Sequence, residues 1–221
     1  MNSIISYTQT GDNTLEKFGA EYYMPGQKMI AKSKADSLYM FTTYVGEHDV
    51  NIEAGDSLYY IEAGVAHLKR GPVKVQSSAI ATVIRGYNAP DRSAQIGRMT
   101  TLPFINGCST RQIFSPERIG DPTLQLLYIP PHSSEQEHHL HSTARVAYVL
   151  EGQGTCIIGT DEQSHHQKIV PGTTIIIHPM CPHHFETNNE ALLVAPLHVF
   201  SSAPGGMEFN HPMYNGSHLL K

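Results

Sequence analysis

Cysteine is scarce in this 221-residue chain: Cys108, Cys156 and Cys181 stand far apart, and none belongs to a CxxC pair. An odd, sparse set builds no disulfide framework and reads as reduced intracellular thiols. Long apolar runs are missing too; none approaches the roughly 20 residues that cross a bilayer. The start, Met1-Asn2-Ser3-Ile4-Ile5-Ser6-Tyr7, has neither the basic region nor the apolar core of a signal peptide. A cytoplasmic protein without membrane contact is therefore expected. Lys and Arg form no runs and the formal net charge is -5, so nucleic acid is not an expected partner. With 40% hydrophobic and 16% charged residues, the composition excludes a disordered chain.

What stands in excess is histidine. There are 14, and 12 of them lie at or beyond His132, leaving only His48 and His67 before it. Imidazole is the commonest side-chain metal ligand, so the asymmetry points to a metal site in the second half. Some of these histidines, such as His165, His166, His211 and His218, read as surface residues.

Short runs rich in β-branched and aromatic residues recur, broken by Gly, Pro, Asp and Asn. They fall at 38–45, 50–52, 57–61, 67–69, 73–75 and 79–85, then at 124–129, 137–142, 145–150, 155–158, 173–177, 183–186 and 192–200. The first half shows no helical periodicity. Residues 1–20 read as an arm or edge strand, 201–221 as a surface tail, and 86–111 as a connection that packs or carries a short strand. Ala54-Gly55-Asp56-Ser57-Leu58-Tyr59-Tyr60-Ile61 echoes Pro171-Gly172-Thr173-Thr174-Ile175-Ile176-Ile177-His178 about 117 residues on. A turn and a histidine follow each copy: His67 in one, His183 or His184 in the other. Two copies of one β unit explain this, with domains at 1–100 and 101–221.

Glu137-His138-His139-Leu140-His141 is the central motif. On a strand alternate side chains share a face, so His139 and His141 point one way, Leu140 the other. Continued unbroken, that face would also carry Glu137, Thr143 and Arg145. A third ligand must come from elsewhere, and His183 is the natural supplier. His138 and His184 should face away. Cys181, two residues before His183, could be a nucleophile with a histidine base, but its position suits a turn better.

These residues resemble the cupin superfamily. Its first motif is HxH, three or four residues, Glu, and a strand ending in a YVLEG-like turn, here Tyr148-Val149-Leu150-Glu151-Gly152. Its second is PG, an apolar strand, a turn and a His, here Pro171-Gly172 through His183-His184-Phe185 to Asn188. The resemblance is strong over 124–200 and only an outline over 38–85. It implies an all-β fold, a bicupin of two jelly-roll (double-stranded β-helix) barrels with the N-terminal one degenerate. Ser33 and Ala35 stand there where the histidines would be.

One departure matters. Arg145 occupies the place of the family's glutamate, and a guanidinium has no lone pair for a metal. The implied site is thus His139, His141 and His183 around one divalent metal ion, with Fe(II) first and Mn, Ni or Zn as alternatives. Arg145 turns outward or pairs with a local acid, or else points inward to hold a substrate carboxylate. Glu137 is the reserve carboxylate, ahead of Glu135 and Glu186. Three-histidine cupins imply a dioxygenase acting on a small, chelating and anionic substrate: an acid, diketone, catechol or thiol. A metal-dependent lyase, isomerase or hydrolase is the alternative, with Glu137, Tyr148 or His178 moving protons. A non-catalytic binding or sensing cupin is the third. A small molecule is the expected partner and a homodimer the expected assembly.

Overall fold

The computed structural model describes residues 13–32, 40–77, 79–117, 121–199 and, as backbone only, 217–219. The readings made above for 1–12, for Ser33 and Ala35, and for most of 201–221 lie outside these residues.

Helix α1 (Thr14–Phe18) leads into β1 (Ala20–Tyr23). The first half continues with β2 (Met29–Lys32), β3 (Phe41–Val45), β4 (His48–Ile52), β5 (Ser57–Glu62), β6 (Val65–Arg70), β7 (Val73–Ser77), β8 (Ile80–Ile84) and β9 (Arg92–Gln95). The second half adds β10 (Leu102–Pro103), β11 (Ser109–Phe114), β12 (Thr123–Ile129), β13 (His139–His141), β14 (Arg145–Gly152) and β15 (Gly154–Thr160). It ends with β16 (Gln163–Ile169), β17 (Thr174–Ile177), β18 (His183–Glu186), β19 (Leu192–His198) and β20 (Ser217–Leu219). The protein is all-β, and among the described residues no helix is long and apolar enough to cross a membrane.

Four layers stack. The ribbon β4-β7 lies on a six-stranded sheet, order β2-β3-β8-β5-β6-β9. That sheet packs on a seven-stranded one, order β1-β17-β14-β19-β12-β11-β10, which packs in turn on the five-stranded sheet β16-β15-β18-β13-β20. Val50, Ile52, Leu58, Tyr60, Ala81 and Val83 fill the first barrel. Leu127, Val149, Ile158, Ile169, Ile175 and Leu192 are among those filling the second. Between the barrels lies a third core, where Phe41, Tyr59, Ile61 and Ile84 meet Leu124, Val146 and Leu197. The middle sheets are thus covered on both faces, which is why β8 and β17 are buried along their whole length and carry one polar residue each, Thr82 and Thr174.

Strand β14 shows how one sequence serves two cores. Ala147 and Val149 enter the second barrel, while Val146 and Tyr148 face the first half. Gly152 ends it at φ +75, where an added Cβ would sit 1.8 Å from the Ala191 carbonyl oxygen. Only glycine lets the chain turn there.

Strand β1 pairs along β17, Ala20 opposite Ile177 and Tyr23 opposite Thr174. It covers an edge of the second barrel's sheet that would otherwise expose unpaired backbone. The expected strand at 137–142 is reduced to three residues, because 135–138 is bent backbone. Strand β16 was not foreseen: Gln163 to Lys168 carry no apolar residue, and the strand exists through its ladder with β15 at the sheet edge. The connection at 86–111 carries β9, β10 and the start of β11.

Candidate metal centre

The short strand β13 lies between β18 and β20 in its sheet. On one side His139 sits opposite His183, and on the other His139 and His141 sit opposite Leu219 and Ser217. The period of two sends both β13 imidazoles inward, where they meet His183 from the next strand. All three are buried, and their ligand nitrogens lie within 4.8 Å of one another. Among the described residues this is the one such grouping of histidine, cysteine or acid side chains.

Two of the rings are held by backbone carbonyls. His139 donates its Nδ1–H to Glu137 O at 3.0 Å, and His183 donates its own to Cys181 O at 2.8 Å. Each therefore presents Nε2 as a bare lone pair. The Nε2 atoms of His139 and His141 stand 3.2 Å apart. Burial pushes the His139 pKa down to about 4 and those of His141 and His183 well below the ordinary range; the nearby Arg145 charge adds to each. All three are neutral at physiological pH, as ligands must be. Converging, dry, deprotonated nitrogens fit a divalent metal ion, and the cluster can hold one.

Arg145 faces inward. It lies on a rung running from Thr123 through His198 and Arg145 to Ile177, and is 3% exposed. Its Nη1 donates to Ala144 O at 3.2 Å, and to the carbonyl and hydroxyl of Thr143. Its Nε and Nη2 are buried with no hydrogen-bond partner. Burial draws its pKa down to about 9, opposed by Glu135, so it stays charged at neutral pH.

The other proposed acids and bases separate. Glu137 is exposed and serves His139 through its carbonyl rather than its carboxylate. The bend at 135–138 breaks the strand parity that had placed it beside the ligands. The buried carboxyl is Glu135, with Oε1 3.5 Å from His139 Nε2 and a pKa raised by burial to about 8. Tyr148 lies on the opposite face of β14 and packs against the core between the halves, not toward the histidines. His178 bonds Glu21 of β1 at 2.9 Å, linking the N-terminal strand to the barrel.

His138 and His184 do turn away, with their Nδ1 atoms 2.7 Å apart. Cys181 is buried, and its thiol pKa is pushed up to about 12, far from a nucleophile's range. His198, whose ring centroid is 6.4 Å from that of His141, went unremarked in the sequence. Its parity with Leu192 and Val194, both in the barrel core, carried the signal. In the first half, His67 stacks on Tyr60 and bonds Ser93, and His48 bonds Val45 O. Neither joins a cluster.

Residues 125–200 match the family model for the cupin domain. The C-terminal barrel is a cupin domain. Among solved structures, a putative glyoxylate-induced protein from Pseudomonas aeruginosa aligns with 80% of this chain and 79% of its own, at 10% identity and a TM-score of 0.52. At that identity the likeness concerns fold, and it extends across both halves. An oxalate decarboxylase from Lactobacillus farciminis in complex with formate aligns over 80% of this chain and 85% of its own, at 7% identity and a TM-score of 0.47. The polyketide cyclase RemF from Streptomyces resistomycificus covers 44% of this chain and 69% of its own, at 20% identity and a TM-score of 0.38. No curated protein matches the chain by sequence. The bicupin expected from the motifs is the fold observed, with its metal-type cluster in the cupin domain alone among the described residues.

Proposed function

We propose that the chain is a non-haem, metal-dependent dioxygenase acting on a small chelating substrate that carries a carboxylate or similar anion. One observation carries the reading: the inward guanidinium of Arg145, with Nε and Nη2 unpartnered, beside three neutral imidazoles. Those two N–H groups form one straight edge of the arginine fork, the geometry that takes a carboxylate bidentately. His139, His141 and His183 hold the metal, with Fe(II) the first choice, since three imidazoles select weakly among Fe, Mn, Ni and Zn. When bound, the metal supplies Lewis acidity, redox chemistry and open coordination positions. The chain's part is to keep the ligands neutral, exclude water with the Ile158–Ile169–Ile175 core, and fix the anion's orientation through Arg145.

The test is metal analysis of tag-free protein, followed by oxygen uptake with panels of small acids, diketones, catechols and thiols. Iron together with uptake for an anionic chelator supports the proposal. Zinc with no uptake overturns it in favour of a lyase, isomerase or hydrolase. Arg145→Ala should weaken substrate binding at least tenfold and leave metal content intact.

A further inference from the structure

Because His139 gives its Nδ1–H to Glu137 O, its Nε2 is an acceptor. Facing that lone pair at 3.5 Å is Oε1 of Glu135, an acceptor when ionised and too distant to be a hydroxyl donor. Also facing it, at 3.2 Å, is Nε2 of His141. Atoms bound about 2.1 Å from one metal ion lie roughly 3.0–3.4 Å apart. Both separations from His139 Nε2 are near that range, although Glu135 stands outside the tight grouping of the three histidines and must close on the ion to join them.

We infer that Glu135 is the carboxylate ligand of the metal centre, supplied from the segment before the HxH strand. The inference rests on reading the triad as a metal site, and goes beyond it by naming a fourth ligand. It stands four residues before His139, whereas the family's glutamate position, four residues after His141, holds Arg145.

The backbone supports the assignment. Glu135 N–H donates to Phe185 O at 3.1 Å, and Ser134 bridges Glu186, so the segment is tied to β18, the strand of His183. Charge supports it as well. A divalent ion with Arg145 alone would put three positive charges in a dry barrel with no counter-charge. Glu135, 2% exposed, removes one of them before any substrate arrives. Arg145 then compensates the carboxylate rather than opposing the metal unaided.

Co(II) is the probe, because its visible absorption reports the donor set. Full-length protein and the isosteric Glu135→Gln variant, matched for circular dichroism and melting, are compared by chelator competition and by absorption. Glu135→Gln should lower Co(II) affinity about 100-fold or more and change the spectrum. Glu135→His should recover tight binding with bands shifted toward an all-nitrogen set. Affinity within threefold of the parent overturns the inference, and so does any loss with an unchanged spectrum, since Glu135 would then only orient His139. If the parent chain itself takes up no Co(II), the metal-site reading falls and takes this inference with it. Uptake by the parent with a silent Glu135→Gln variant removes the fourth ligand alone.

Discussion

His139 and His183 face each other across one rung of a sheet, Cα opposite Cα, with ring centroids 4.5 Å apart. They stand 44 positions apart in the chain. Strand pairing, not sequence proximity, brings the two into a cluster that could hold a metal ion, and His141 joins through the period of two along β13.

Removing one imidazole should therefore disable the site. His141→Ala is expected to reduce bound metal per chain to background, measured by elemental analysis after dialysis. Unchanged stoichiometry would show that the ligand set is wrong.

Acid should loosen the metal-free protein in a defined window. The His139 pKa is about 4 in the folded state, against an ordinary 6.5. Between these values the unfolded chain binds a proton that the folded one refuses. The contribution of His139 is thus full above pH 6.5 and declines as pH falls toward 4. His141 and His183 add to the decline, and Glu135, whose carboxyl pKa is raised to about 8, opposes it. The shift corresponds to on the order of 3 kcal/mol for this residue. Melting of chelator-treated protein across pH 7 to 4 measures it, and a flat profile would contradict the burial argument.

The two halves should unfold together, since the core between them draws on both. Leu197→Ala is expected to cost about 2–5 kcal/mol and to keep a single transition in urea. Two separated transitions would show that the halves are independent.

Tyr148 offers a negative control. Facing the inter-barrel core, Tyr148→Phe should leave metal affinity unchanged within twofold. A large loss would place the ring at the site after all.

At the Gly152 turn, Gly152→Ala should destabilise by more than about 2 kcal/mol, because the added methyl meets the Ala191 carbonyl and φ is positive. Urea midpoints of the variant and parent chains test this.

The all-β class, the second-half strands and the grouping of His139, His141 and His183 as candidate ligands were legible from Glu137 through Phe185, because they rest on local pattern and on the resemblance to the two cupin motifs. Alternation places His139 with His141, and a Pro-Gly turn sets the strand before His183. Residues whose role depends on a bend or on the opposite face were not legible in this way. Glu137 and Glu135 look alike in sequence; the bend at 135–138 exposes the first and buries the second. Polar β16 escaped notice because its stability comes from its partner strand rather than from an apolar pattern of its own.

The sequence by itself thus determined that His139 and His141 share one face of a strand, since the period of two dictates it. The cupin barrel and His183 as their partner were implied by the resemblance of its two motifs to the cupin superfamily. Only the tertiary structure decided the electrostatics of the centre. Arg145 points inward because its rung of β14 lies between β17 and β19, whose inner faces line the barrel. Glu135 reaches His139 because β18 holds its backbone in place. Those placements arise from contacts among segments distant in sequence, and they decide which charges a metal and a substrate would meet.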